Sequence, residues 1–222
     1  MRWSKSQYFL AISALMILLV GCSQNTAEDV FNHLEKAVEL EQPFEEQQAV
    51  LVEAEEKEHQ IYEEAIALGL DEFEQIIVLS DEALSSIDQR EEAVSLEKES
   101  IESSYEEFKQ VELLQEEFDD EELLSLFNGF SNEMESRYES YQQLFENYTH
   151  SIQLDRELFQ LLKEEDLELI DLQTKIDEVN DSYQKVNELK EQFNDFTTQY
   201  NQSKQAFYEA ANLDVTYVDS ND

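Results

Sequence analysis

Few side chains in this sequence are equipped for covalent or metal chemistry, and their spacing narrows the choice further. Cys22 is the single cysteine among 222 residues, which excludes a disulfide framework and a cysteine-built metal site. Of the three histidines, His33, His59 and His150, only His59 has a glutamate three residues earlier, in Glu56-x-x-His59. That spacing puts both side chains on one helical face, as in di-iron bundles. Such a centre needs two copies of the motif and two further inward glutamates, and a lone copy is what so glutamate-rich a composition produces by itself. No metal and no cofactor is expected. The sequence has no G-x-S-x-G, no HExxH and no glycine-rich phosphate loop, so it offers no nucleophile or phosphate constellation. Carboxylate pairs abound, yet a catalytic pair requires a pocket that drives its two pKa values apart. A narrow chain coated in solvated acids supplies no such pocket, and the protein is read as a non-enzyme.

The position of Cys22 gives the thiol a specific chemistry. Arg2 and Lys5 precede an uncharged apolar run from Tyr8 to Val20, which leads into Leu19-Val20-Gly21-Cys22. A basic start, a short apolar stretch and small residues before a cysteine make a secretory signal. The run is shorter than the roughly 20 residues a membrane-spanning helix needs. The last four residues resemble the bacterial lipobox, which predicts cleavage between Gly21 and Cys22 and acylation (palmitate-type chains) of Cys22. Two or three acyl chains are a lasting anchor, since each buried methylene contributes about 0.8 kcal/mol. Residues 1–21 are thus expected to be a signal peptide and 22–28 an acylated cysteine with a short polar tether. Cleavage removes two bases and no acids, taking the net charge from −40 to −42.

The remaining sequence must position whatever the anchored body does. Fifty-four acids face fourteen bases, and this polyanion repels the phosphate backbone of a nucleic acid. Three glycines and one proline cannot supply the turns of a sandwich, barrel or doubly wound sheet. Hydrophobic residues at 41% and aromatics at 11% are enough for a core. Apolar residues recur every three and four positions in four stretches. The first runs from Val30 to Leu68 through Ala37, Leu51 and Ile61, and the second from Ile77 to Phe108 through Leu84, Ile87 and Ile101. The third runs from Leu124 to Leu162 through Phe127, Met134, Tyr141 and Ile152. The fourth runs from Leu169 to Phe207 through Ile176, Val186 and Tyr200. A repeat near 3.5 sustained this long predicts helices packed as in a left-handed coiled coil. No stretch alternates with period two, so no strands are expected.

The breaks between stripes are marked. Gly69 permits a helix end and Asp71 a cap for the next helix. The frame shifts between Glu116 and Ser131, with the turn placed near Asp119 because the third stripe runs unbroken through Gly129. Asp166 is positioned to cap the fourth helix, and Pro43 is expected to kink the first stripe or split off a short leading helix near Gln42. Helices of about 40 residues are about 60 Å long, and short connections make consecutive ones antiparallel. The expected fold is all-α: an elongated antiparallel up-and-down bundle of four long helices over residues 29–211, with 212–222 as a frayed acidic tail. A three-helix arrangement with the second and third stripes partly continuous is the alternative.

The acids are expected to coat the outside, where i,i+4 pairs relieve only part of their repulsion. Tyr105, Tyr138, Tyr141, Phe145, Tyr148, Tyr183, Phe193, Tyr200 and Phe207 fall at heptad positions, which makes them core residues with tyrosine hydroxyls reaching the surface; stacking on glycans is the competing use. Glu91, Lys98, Lys190 and Lys204 break the seams. They are expected to extend outward with their stems over the seam, the alternative being ion pairs across helices that fix register.

Several blocks resemble the YkyA-type lipoproteins of low-GC Gram-positive bacteria. They are Leu34 to Glu41 (LEKAVELE), Pro43 to Gln48 (PFEEQQ), Tyr62 to Gly69 (YEEAIALG), Leu79 to Leu84 (LSDEAL), Arg90 to Phe108, Met134 to Tyr141 (MESRYESY) and Tyr200 to Lys204 (YNQSK). The resemblance spans nearly the whole chain from Cys22 onward. It implies an all-helical cell-wall-binding lipoprotein without assigned catalytic residues. The expected function is that of a lipid-anchored, non-enzymatic binding or scaffolding module on the outer face of the cytoplasmic membrane of a Gram-positive bacterium, at the membrane–wall interface. Its expected partners are the membrane through the lipid, the cell wall or another surface protein, and no nucleic acid. The alternative is a metal- or solute-binding lipoprotein using surface carboxylates.

Overall fold

The structure, a computed structural model, describes residues 25–68 and 72–213. Helix α1 covers 25–40, α2 Gln42–Ala67, α3 Phe73–Glu112, α4 Glu121–Leu161 and α5 Leu169–Ala210, with a short 3₁₀ turn at Gln115–Glu117 between α3 and α4. No strand occurs among the described residues. The fold is an all-α helical bundle, as the heptads predict. Helix α3 ends before α4 begins, so the second and third stripes are separate helices and the three-helix alternative fails.

Each boundary has a local cause. Glu41 sits between α1 and α2 with φ −86° and ψ −5°, and Pro43 occupies the first turn of α2, where its missing N–H removes nothing the helix needs. The 3₁₀ turn at 115–117 places the break beside Asp119. Asp120 then caps α4, its Oδ1 accepting the N–H groups of Glu122 at 2.9 Å and Leu123 at 3.0 Å. Helix α5 starts at Leu169, so the cap position falls on Glu168 rather than Asp166; the Glu168 carbonyl accepts the Leu172 N–H at 3.2 Å. At the other end Asn212 has φ 52°, with Leu213 N–H bonded to Tyr208 O and Asn212 N–H to Glu209 O. This is a Schellman cap. It gives the first two residues of the expected tail a defined form, and 214–222 lie outside the described residues, as do Gly69 and Asp71. Thr26 and Ala27, expected in the tether, are helical and buried.

Where the heptads predict one continuous bundle over 29–211, the packing separates into two compact units. The first draws on residues up to 39, on 104–136 and on 196 onward; the second consists of 40–103 and 137–195. The core of the first is aromatic: Phe108, Phe118, Phe127, Phe130, Phe207 and Tyr208 are buried in one cluster with Val30, Leu34 and Met134. Its rings meet edge to face, Phe127 on Phe130 at 5.1 Å and Phe130 on Phe207 at 5.2 Å. Burying each such ring contributes on the order of 1.5–3 kcal/mol, and the geometry adds to it. The second unit is aliphatic at one end, around Leu51, Ile61, Leu79, Ile87, Ile152 and Phe159. A smaller cluster of Ile101, Tyr141 and Phe193 continues it.

Every named heptad position in the first three stripes is buried or half-buried; in the fourth, Leu169 and Lys190 are exposed. Helices α3 and α4 also bury an additional face. Ser86, Ser100, Ser104, Ser140 and Ser151 are buried there, small enough for helices to approach closely. That same face carries charge.

Candidate functional site

The acids do not all lie outside. In the second unit Arg90 is 1% exposed, Glu58 5%, Glu97 5% and Asp155 8%, although arginine and the acids are almost never fully buried unless paired. The helical repeat delivers them inward. Glu58 and Asp155 occupy seam positions of the first and third stripes, Arg90 lies three residues after Ile87, and Glu97 three after Val94.

Arg90 is the hub. Its Nη1 donates to the Tyr183 hydroxyl at 2.7 Å, and its Nη2 bonds to Asp155 Oδ2 and lies 3.1 Å from Glu58 Oε2. Tyr183 donates in turn to Asp155 Oδ2 at 2.5 Å. The Tyr148 ring lies 5.8 Å from the guanidinium carbon, and its hydroxyl donates to Glu55. Residues from α2, α3, α4 and α5 thus converge on one guanidinium. Burial pulls the Arg90 pKa down, but Tyr183, Asp155 and Glu58 outweigh it, and the group is held firmly protonated. Glu58 responds in the opposite sense: burial raises its pKa to about 7 despite the opposing pull of Arg90 and of the Ser86 hydroxyl, and neither of its oxygens is hydrogen-bonded. Buried carboxylates shift this way because the charged form loses hydration.

Glu97 forms a second layer. Gln48 Nε2 donates to it, and burial lifts its pKa to about 7 against the lowering effects of Gln48 and Lys190. The nearby Tyr141 hydroxyl is buried with no hydrogen-bond partner, and burial first, then Glu97, pushes its pKa well above the usual phenol range. The expectation that tyrosine hydroxyls reach the surface therefore fails at Tyr141, Tyr148 and Tyr183.

A third layer secures the α1–α2 break. Arg137 grips Glu41 with both terminal nitrogens at 2.8 and 2.7 Å and lies 5.0 Å above the Phe193 ring. The Ser100 hydroxyl accepts the Phe44 N–H at 3.2 Å and donates to the Leu40 carbonyl at 2.6 Å. In an unbroken helix those two backbone groups bond to each other. Ser100 is inserted into the ladder at the point where Pro43 weakens it, a recognised cause of a helix kink.

The residues singled out by sequence are placed as follows. Glu56 and His59 are exposed, and His59 lies 3.5 Å from Glu63. Among the described residues no group of three or more His, Cys, Asp or Glu is arranged to hold a metal ion. His33 approaches Glu107 at 2.6 Å, as does Lys36; those two bonds, Lys36 first, hold the Glu107 carboxyl below the usual range. Of the seam-breaking residues, Glu91 pairs across helices with Arg156 at 3.0 Å, and Lys98 and Lys204 lie over the rings of Phe145 and Tyr200. The nine heptad aromatics are all buried or half-buried. Gly21 and Cys22 lie outside the described residues. Arg90, Arg137, Glu97 and Ser100 carry no reading of their own in the sequence, because a polar residue on the second inward face looks like one on the solvent face.

The class these features define is a helical bundle whose interior charges are engaged by one another and by tyrosines. Within it, the chain belongs to the YkyA family, described as "Putative cell-wall binding lipoprotein", whose profile matches residues 25–210. It is 35% identical over 206 residues to the "Uncharacterized lipoprotein YkyA" of Bacillus subtilis (strain 168), covering 92% of each chain. Its fold is similar to a 1.6 Å crystal structure of a conserved protein of unknown function from Staphylococcus aureus, with a TM-score of 0.63 at 16% identity, over 82% of this chain and 91% of that one. Among the described residues no helix is long and apolar enough to cross a membrane.

Proposed function

We propose that this protein is a lipid-anchored, non-enzymatic binding module on the outer face of the cytoplasmic membrane of a Gram-positive bacterium, acting at the membrane–wall interface. The observation that carries the reading is the lone cysteine at the end of Leu19-Val20-Gly21-Cys22, three residues before α1 begins at 25. A lipid on Cys22 leaves almost no tether, so the body is held close to the bilayer. Signal cleavage falls between Gly21 and Cys22. The membership in a lipoprotein family supports the anchor, and that family's wall-binding description supports the partner class.

The charge constrains how such a module binds. A body of −42 is repelled by an anionic wall polymer, so direct wall contact requires bridging divalent cations, whereas a surface-protein partner requires a basic complementary face. Two experiments test the reading. Metabolic labelling with a radioactive fatty acid is expected to mark the wild-type protein and not Cys22→Ser; equal labelling defeats the anchor. Sedimentation with purified wall, with and without chelator, combined with crosslinking in intact cells, is expected to return wall fragments or a surface protein. Recovery of neither defeats the binding role.

A further inference from the structure

One end of the second unit, where α2 leads into α3 and α4 connects to α5 through 162–168, combines bare apolar side chains with a rim of acids. Ile66 is 49% exposed, Val78 66%, Leu169 79% and Ile170 65%. Their neighbours in sequence Ala65, Leu79, Leu167 and Leu172 belong to or pack against a single hydrophobic cluster, and Ile66 lies in the last turn of α2 while Leu169 and Ile170 open α5. From Lys163 to Asp171 there are five carboxylates and one lysine, all five acids exposed. The lysine is already engaged by Asp81. The next base along α5, Lys175, is held by Glu157 at 2.8 Å and by Glu178. The second unit as a whole carries thirty-five acids against nine lysines and arginines.

We infer that this end docks a cationic amphipathic helix of another surface protein, an inference that rests on the binding-module reading above. The apolar face of such a helix covers Leu169 and Ile170, while its lysines and arginines meet Glu164, Glu165, Asp166 and Glu168. Charge selects the occupant. A second copy of this chain at −42, an anionic lipid surface and an anionic wall polymer all carry the sign of the rim. The chain's own residues 214–222 hold three aspartates and no base, so they are repelled as well. An occupant that is both basic and apolar gains from each feature: burial supplies affinity, and the one-signed field raises the encounter rate and rejects wrong partners. Amphipathic helices dock on apolar surfaces through this division of faces.

The test uses the chain from Ser23 onward and two fluorescein-labelled synthetic peptides of equal charge, one of lysine and leucine in helical period and one with serine replacing leucine. Anisotropy titration is expected to give at least tenfold tighter binding of the lysine–leucine peptide, with both affinities falling as salt rises. The double substitution Leu169→Ser and Ile170→Ser is expected to abolish that tenfold ratio, whereas Val38→Ser with Leu113→Ser, exposed apolar residues of the first unit, preserves it. Both pairs are solvent-facing, so circular dichroism should be unchanged. Equal binding of the two peptides overturns the inference, as does a ratio that survives the first pair or disappears with the second. Self-association, or binding to phosphatidylglycerol vesicles, that depends on Leu169 and Ile170 overturns it in favour of those occupants. Wall sedimentation is read separately: a positive result there with no peptide preference retains the binding module and removes only this surface.

Discussion

Replacing Arg90 by methionine is the sharpest test of the second unit's interior. The substitution keeps most of the side-chain volume but removes the guanidinium that faces Asp155, Glu58 and Tyr183. Two carboxylates, 8% and 5% exposed, then lack their cation: Asp155 retains only the Tyr183 hydroxyl, and Glu58 retains no hydrogen bond. Breaking a buried pair in this way costs about 3–5 kcal/mol. For a chain of this size that is a fall of roughly 6–20 °C in Tm. The penalty must depend on pH. Glu58 already has a folded pKa of about 7 against 4.5. A carboxyl whose folded pKa is raised contributes its full stability below 4.5 and loses it as pH rises through 7. Arg90 is among the groups that lower the Glu58 pKa, so its removal raises that pKa further, and the loss is greater at pH 8 than at pH 5. Urea unfolding followed by circular dichroism at both pH values measures this, and amide exchange of peptides from 83–100 and 148–160 reads the second unit by itself. Adding Glu58→Gln and Asp155→Asn to Arg90→Met should recover most of the loss, because no charge remains uncompensated. A loss below 1 kcal/mol at pH 8, or the same loss at pH 5, refutes the reasoning.

Four other outcomes follow from the same geometry. Glu97→Gln should stabilise the protein at pH 8 by up to about 3 kcal/mol and change little at pH 4.5, since a pKa of about 7 against 4.5 corresponds to about 1.4 kcal/mol per unit; destabilisation at pH 8 in urea titrations counts against it. Ser100→Ala should cost about 1–3 kcal/mol and speed amide exchange over 40–48, because Phe44 N–H and Leu40 C=O lose their shared partner. Gly129→Ala should raise stability by about 0.5–1 kcal/mol, as the glycine lies inside α4 and an added Cβ meets nothing within 4 Å; a lower Tm refutes this. Salt or magnesium should raise Tm, because 54 acids face 14 bases and their repulsion is screened; an unchanged Tm across ionic strength contradicts it.

What the amino-acid order determined is the helical content and the first inward face. Hydrophobic periodicity is a local property, and it placed Val30, Ile61, Ile87, Met134, Ile152 and Phe207 in cores correctly. The break near Asp119 was equally legible, because a frame shift accompanied it. The second inward face was not legible. A helix in a bundle buries about three positions per heptad, and in α3 and α4 the third is shared between apolar residues such as Ala83, Ala93, Phe130 and Leu158 and a polar set of serines with Arg90, Glu97 and Arg137. Polarity alone assigns such residues to solvent. The available hint was that Glu58 and Asp155 stood in the seam as charges with no visible reason. Only the tertiary structure could supply that reason, because the guanidinium that balances them comes from a different helix, 32 residues beyond Glu58 and 65 before Asp155. The packing alone also decided that the heptads divide between two compact units, and that Ser100 stands between Leu40 and Phe44. Both depend on which side chains from distant segments meet, and a repeat specifies a face without specifying what lies across from it.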